Sequence, residues 1–251
     1  MRLFTELNIE TQSTCNRACP TCMRNSWPDR AALVERFEIH QMPGELVHSL
    51  LDQAAAMGYG GQVCLQHFNE PLQDGRLAEF GRYAKGKGFA HVYANTNGDL
   101  LTPELAAELD GALDRLHIAL YGPNKLERSV RYRGWFAQTR LTFTDGSHVI
   151  THHSPYANLA ACVAAARPQP CEREAQMRCI IGYTGQMYLC CDDILGQFGL
   201  GNAHDMSLEE LWFGEKHQAV VEALRQPGGR EQYELCRLCP RQNTPYGREQ
   251  P

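Results

Sequence analysis

Cys15-Asn16-Arg17-Ala18-Cys19-Pro20-Thr21-Cys22 is the stretch on which the fold and chemistry of this chain turn. Three thiolates spaced by three and then two residues can ligate three irons of a cubic [4Fe–4S] cluster and leave the fourth iron without a protein ligand. An open metal position is where catalysis happens, whereas a closed ligand shell serves structure. A ferredoxin pattern needs spacings of two, two and three with a fourth cysteine followed by proline, and this run does not supply it. The alternative is a zinc knuckle that uses two or three of these thiols and a distant fourth ligand.

Outward from that loop, the sequence alternates strands and helices. Leu3 to Glu10 alternates apolar and polar residues and predicts a strand that delivers the cysteines at its carboxyl end, as the parallel strands of an α/β barrel do. Gly44 to Met57 places Leu46, Val47, Leu50, Leu51, Ala54 and Ala55 on one helical face and stops at Gly58. Strands are expected over 62–68, 89–95 and 114–121, with helices over 76–88 and 103–109. Such alternation implies a mainly parallel sheet with right-handed crossovers. After residue 121 the rhythm breaks. Leu141 to Thr151 contains Asp145-Gly146, the signature of a tight hairpin, and the space before Cys171 is short for two further βα units. The expected fold is therefore α/β, a truncated and open partial barrel.

Composition narrows the partners. The chain has 251 residues, 43% of them hydrophobic and 21% charged, as an ordinary globular protein has. Its net charge of −5 offers no basic field for a nucleic acid backbone or an anionic membrane, so both are set aside. No secretory signal and no apolar run of about 18 residues is present, which predicts a cytoplasmic protein. Eleven cysteines in that compartment point to metal clusters rather than disulfides.

The Cys15, Cys19, Cys22 spacing resembles the CxxxCxxC signature of the radical S-adenosylmethionine (radical SAM) enzymes, in which the free iron takes the amino acid end of SAM. Other stretches share the resemblance. Phe68-Asn69-Glu70-Pro71 stands where the family carries Gly-Gly-Glu-Pro, which implies that Asn69 and Glu70 meet the SAM ammonium. Read alone, Glu-Pro at a strand end is a turn. Asn95-Thr96-Asn97-Gly98 resembles the Thr-Asn-Gly near the SAM ribose and implies that Asn95 and Asn97 are cofactor contacts. Tyr121, after the fourth strand, replaces a polar family residue and either lines the substrate site or packs in the core. Arg131-Tyr132-Arg133-Gly134 resembles the family's Arg-Gly, where an arginine pairs with the SAM carboxylate; exposed arginines on a short helix are the alternative for Arg131 and Arg133.

The last third carries a second set of thiols. Cys171, Cys190, Cys236 and Cys239 can close a cluster completely, and zinc in a four-thiolate site is the alternative. Between them, residues 180–189 predict a hairpin turning at Thr184-Gly185, and Ser207 with Glu210 predicts a capping box for a helix from 208 to about 225. The order Cys, Gly-x4-Cys, Gly-Asn, Ser-Leu-Glu-Glu-Leu-Trp, Cys-x-x-Cys resembles the SPASM and twitch extension of radical SAM proteins. No cysteine follows Cys239, which selects the shorter, one-cluster twitch form. The implied organisation is a partial barrel over 1–165, a twitch domain over 166–240 and a polar, disordered tail over 241–251.

The resemblance implies cofactors and a reaction. They are SAM, a SAM-binding [4Fe–4S] cluster on three cysteines and an auxiliary [4Fe–4S] cluster on four. An electron donor such as flavodoxin or ferredoxin reduces the first cluster, and SAM is cleaved to a 5′-deoxyadenosyl radical. That radical takes hydrogen from a C–H of a small molecule, a sugar or aminocyclitol alcohol, which the auxiliary cluster then oxidises. The proton needs a base, and His117 and His153 are the candidates, with His67 and His152 also near strand ends; a strand histidine can equally be a satisfied packing residue. A radical SAM epimerase is the competing expectation, with Cys179 or Cys191 returning the hydrogen atom. Peptide maturation is a further one, and a zinc-binding interaction module the non-enzymatic one.

Overall fold

The computed structural model describes residues 2–20, 22–38, 40–146, 171, 177–237 and 239. In chain order the barrel half contains β1 (Glu6–Ile9), α1 (Met23–Ser26), α2 (Arg30–Arg36), α3 (Gly44–Ala56), β2 (Gln62–Cys64), α4 (Leu77–Gly86), β3 (His91–Thr96), α5 (Pro103–Leu109), β4 (Arg115–Leu120), α6 (Lys125–Arg133) and β5 (Arg140–Asp145). There follow β6 (Arg178–Ile181), β7 (Met187–Tyr188), α7 (Leu208–Phe213), α8 (Glu215–Arg225) and α9 (Glu234–Arg237). All seven strands form one sheet in the order β5-β4-β3-β2-β1-β6-β7, parallel except for β7. No helix among the described residues is long and apolar enough to cross a membrane.

Local chemistry accounts for the helices. Thr102 Oγ1 accepts from Leu105 N at 3.2 Å and Pro103 opens α5, satisfying its first turn. Val47, Leu50, Leu51 and Ala54 of α3 and Leu77, Phe80 and Ala84 of α4 join one large core with Leu7, Ile9, Val63, Val92, Ala94, Leu116 and Ile118 from alternate positions of the strands. Period-two alternation turns the intervening residues, Glu6, Asn8, Cys64, Tyr93, Asn95 and His117, to the opposite face. That face is polar.

Two expectations need correction. Residues 140–145, expected as the first arm of a hairpin, form a fifth parallel strand, paired with β4 from Arg115↔Arg140 to Leu120↔Asp145. The connection carries α6, which makes it a helical crossover. Lys125 Nζ, on the first turn of α6, meets the Asp145 carboxylate at 2.5 Å, so Asp145 anchors a helix. The expected second arm, 147–151, lies outside the described residues. The helix expected over 208–225 is two, because Gly214 adopts an extended ψ of 149° between α7 and α8. In that conformation a Cβ would lie 2.3 Å from the Glu210 carbonyl oxygen, so only glycine fits.

The hairpin turning at Thr184-Gly185 forms as β6 and β7, with Gly185 at φ +81°. The Ser207–Glu210 capping box also forms. β6 pairs with β1, so the C-terminal segment is continuous with the barrel sheet rather than separate from it. The proposed boundary at 165/166 and the tail from 241 lie outside the described residues. A second, smaller core joins Met23, Trp27 and Leu33, beside the first cysteine loop, to Ile194 and Leu235, beside the second cysteine set.

Candidate active site

The first three thiols lie between β1 and α1. Cys22 caps α1, and its N–H donates to the Cys19 carbonyl at 3.1 Å. The backbone N–H of Arg17 donates to the Cys15 sulfur and that of Arg24 to the Cys22 sulfur. Burial pushes both thiols up, and their mutual proximity adds to the rise. Tyr121, half-buried, donates its hydroxyl to the Cys19 sulfur, and burial with the neighbouring thiols pushes the phenol up to about 12. The Arg17 guanidinium lies 4.2 Å over the Tyr121 ring. A cavity of about 1070 Å³ opens beside this loop, lined by Cys15, Arg17, Arg24, Leu33 and Phe37.

The carboxyl ends of the strands fasten the loop. Glu70 is buried at 2% exposure and accepts from Leu72 N, Thr96 Oγ1 and Asn97 N at 3.1, 2.5 and 2.9 Å. Its own N–H donates to the Thr14 carbonyl at 2.8 Å. One residue thus knits the ends of β1, β2 and β3 together through its side chain and its backbone N–H, while burial pushes its carboxyl up. Pro71 opens a 3₁₀ turn capped by Glu70, so the turn expected of Glu-Pro is present too. Asn97 Nδ2 donates to Asn16 Oδ1 at 2.8 Å, and Asp99 pairs with Arg17 at 2.6 Å and with Arg128 at 2.9 Å. Asn69 Oδ1 accepts from His67 N at 3.0 Å, and Asn95 Nδ2 donates to Gln66 Oε1 at 3.0 Å. Between these residues Gly98 sits at φ +70°, where a Cβ would be 2.6 Å from Ile118 Cγ2. Gly98→Ala is expected to cost about 1–3 kcal/mol, read as a lower denaturant midpoint at unchanged slope.

Arg131 and Arg133 are exposed. Their guanidiniums lie over Tyr132 and Trp135 and over Phe143, so the structure does not bring them into this set. The arginines that reach it are Arg17 and Arg128.

The C-terminal thiols gather separately. Cys236 lies close to Cys171 and Cys239, and burial pushes it well up. Cys190 shares Asp193 as a neighbour with Cys236 and is likewise pushed up by burial. Cys239 N donates to the Cys236 carbonyl at 3.2 Å, and Cys171 N to the Leu224 carbonyl at 2.7 Å. Among the described residues, no three His, Cys, Asp or Glu side chains converge on the geometry of a single metal ion.

Two catalytic expectations are corrected. His117 has both ring nitrogens engaged, Nδ1 with Thr142 Oγ1 at 2.9 Å and Nε2 with Thr144 Oγ1 at 3.1 Å, so it serves as a cross-strand bridge between β4 and β5. Cys179 is fully buried in the large core, on the helix side of β6, and burial pushes its thiol far up. It cannot return hydrogen on the polar face. His153 lies outside the described residues.

His67 behaves differently. Its ring lies tilted 4.0 Å from that of Phe68 and stacks 6.1 Å from that of Tyr188, and burial lowers its pKa from 6.5 to about 4. The folded protein therefore keeps it neutral where the unfolded chain is protonated, and the stability this contributes is present above pH 6.5 and lost as pH falls toward 4. Between pH 7 and pH 5 the wild type is expected to lose more unfolding free energy than a His67→Gln variant, measured by urea titration at each pH. Equal losses would show that the ring is solvated.

A family model for the radical SAM superfamily matches residues 9–144, more than half of the chain. The chain belongs to the radical SAM superfamily. In the same radical SAM protein, a model for SPASM, an iron-sulfur cluster-binding domain, matches residues 171–240. The chain is 22% identical over 247 residues to the S-adenosyl-L-methionine-dependent 2-deoxy-scyllo-inosamine dehydrogenase of Niallia circulans, covering 95% of this chain and 93% of that one. Its structure resembles BtrN in complex with AdoMet and 2-DOIA, with a TM-score of 0.73, 20% identity and 94% and 92% of the two chains covered. It also resembles anSMEcpe with bound AdoMet, with a TM-score of 0.62, 15% identity and 95% and 85% covered. At these identities the structural likeness speaks for the fold alone. Family and domain make the chain a radical SAM oxidoreductase whose cofactors are SAM and [4Fe–4S] clusters.

The thiols of this radical SAM enzyme fit such cofactors. Partly buried thiolates beside one another are costly without a cation, and the Arg17 and Arg24 N–H groups aimed at Cys15 and Cys22 would be hydrogen bonds of the kind that tune cluster sulfurs. Sequence inspection missed Asn16, Asp99 and Arg128, whose roles arise only where the strand ends converge. It also missed the buried pair of Glu10 and Arg36, at 2.7 Å, which bridges β1 and α2.

Proposed function

We propose that this radical SAM oxidoreductase oxidises a secondary alcohol of a small polyhydroxylated ring, a sugar or aminocyclitol, to the ketone. Cys15, Cys19 and Cys22 would hold the open cluster that engages SAM, and Cys171, Cys190, Cys236 and Cys239 the closed one. When bound, these cofactors supply a carbon radical that removes a hydrogen atom and an acceptor for the electron left behind. The observation that carries the proposal is the pair of separate thiol sets, three on the loop after β1 and a second set with Cys171 before β6 and Cys190, Cys236 and Cys239 after β7, with a shared apolar cluster joining their surroundings. An auxiliary acceptor in that place suits net oxidation.

The other residues would bind and orient. Glu70 and Asn69 would meet the ammonium of SAM, Asn95 and Asn97 its ribose, and Arg17 with Arg128 its carboxylate, the part expected of Arg131 and Arg133. Tyr121, donating to Cys19, would hold the open cluster in place. The net charge of −5 favours a neutral or cationic substrate. A flavodoxin- or ferredoxin-type donor would supply the first electron. Epimerisation is the second reading, favoured by one observation: Cys64 is a buried thiol on the polar face, its Sγ 3.8 Å from Asn95 Nδ2. Anaerobic turnover of 2-deoxy-scyllo-inosamine with SAM and dithionite separates the two. Oxidation gives a ketone two hydrogens lighter for each 5′-deoxyadenosine, and epimerisation in D₂O gives a product of unchanged oxidation state carrying solvent deuterium.

A further inference from the structure

Among the buried side-chain polar atoms of the described residues that have no hydrogen-bond partner are His67 Nε2, Tyr188 Oη and Arg36 Nη1. An orphaned buried polar group costs about 1–3 kcal/mol, and three in one place call for something that is not the chain. They are in one place. The His67 and Tyr188 rings are stacked at 6.1 Å, and the Arg36 guanidinium carbon lies 5.1 Å over the Tyr188 ring. Glu10 holds the group together, pairing with Arg36 through Oε2 at 2.7 Å and accepting from Phe68 N through Oε1 at 3.0 Å. Register fixes the side of the sheet, because Tyr188 opposes Ile180 and Ile180 opposes Asn8, on the polar face away from the large core. Arg24 is close both to Glu10 and Arg36 and to Cys15 and Cys22, while Tyr188 is two residues from Cys190. The orphaned atoms therefore stand between the two thiol sets.

We propose that these atoms form the hydroxyl-reading end of the substrate site, with Arg36 Nη1 and Tyr188 Oη donating to the alcohol oxygen and His67 Nε2 accepting its proton. This rests on the oxidase reading above. When bound, SAM would supply the radical that accepts the carbinol hydrogen atom and the auxiliary [4Fe–4S] cluster would accept one electron; the hydroxyl proton would pass to His67 Nε2 as the C–O bond becomes C=O. Loss of the electron makes that hydroxyl proton strongly acidic, so a weakly basic imidazole suffices. The groups facing His67 are Glu10 and Asp192, which raise it, and Arg36 and Arg178, which with burial lower it, so the ring enters the step neutral. His117, with both nitrogens engaged, has no such free position. Tyr188 and Arg36 orient; His67 moves the proton.

The test uses the reconstituted holoenzyme with 2-deoxy-scyllo-inosamine and scyllo-inositol as probes, first unreduced for calorimetric binding and then reduced for turnover. Tyr188→Phe is expected to weaken binding about tenfold, the loss of one hydrogen bond to a buried hydroxyl. His67→Gln is expected to lower ketone formed per 5′-deoxyadenosine about 100-fold, and added imidazole to restore part of it in His67→Gly. Iron content and circular dichroism of each variant exclude a folding defect. A His67→Gln enzyme with the wild-type ketone ratio, or a Tyr188→Phe enzyme with wild-type affinity, would overturn the assignment and leave the oxidase reading standing. A wild type that neither binds nor oxidises either probe would overturn the oxidase reading and this site with it.

Discussion

Cys15→Ala, Cys19→Ala and Cys22→Ala together are expected to abolish 5′-deoxyadenosine formation, a loss of at least about 10⁴-fold set by the detection floor, while the protein stays folded. Enzymatic accelerations span many powers of ten, so loss of the group that would deliver the electron to SAM should leave only the background. Folding should survive because the loop contributes little to the cores: Cys15, Cys19 and Cys22 are each only partly buried, and neither hydrophobic cluster includes them. Product analysis by mass spectrometry, with denaturant unfolding beside it, checks both halves. Residual SAM cleavage within tenfold of wild type would move the open cluster elsewhere in the chain.

Arg36→Met is expected to cost about 3–5 kcal/mol, because it leaves the Glu10 carboxylate buried without its partner. The exposures decide the magnitude: the two side chains are 7% and 0% exposed, so water cannot replace the lost guanidinium. Burial pulls the arginine's pKa down and Glu10 outweighs it, holding the guanidinium above its ordinary range. Arg36 also donates to the Ile194 carbonyl at 2.9 Å, and its guanidinium lies over Phe37 and Tyr183. The variant should therefore loosen the second cysteine segment from the first. Urea unfolding measures it, and a loss below about 1 kcal/mol would place the pair among solvent-screened surface bridges instead.

Local signals carried much of the fold. The apolar periodicity of 44–57 marked α3, and the Ser207–Glu210 spacing marked the start of α7. What failed depended on distant partners. Asp145-Gly146 is a turn signal by itself, and only pairing with β4 and the contact from Lys125 make Asp145 the end of a parallel strand. Gly214 breaks a helix that its flanking residues favour, because the chain must bend there for α8 to pack.

The site followed the same rule. That Cys15, Cys19 and Cys22 come together was legible because close spacing within one loop is a local geometric constraint, and that Glu70 and Asn97 meet because both lie at strand ends. The roles of His117 and Cys179 were not, since each depends on strand register. One residue's shift along β6 would turn Cys179 to the polar face. Thr142 and Thr144 capture His117 only because β5 is parallel and adjacent. The Glu10–Arg36 pair, bridging β1 and α2, has no local signature at all.

Iron and acid-labile sulfide per chain after anaerobic reconstitution test the two-cluster account most directly, on the wild type and on a variant with Cys171, Cys190, Cys236 and Cys239 replaced by alanine. The account predicts about eight irons in the wild type and about four in the variant, with 5′-deoxyadenosine still formed but ketone lost. Four irons in both proteins, with zinc released from the wild type alone, would contradict it and leave the radical without its auxiliary electron acceptor.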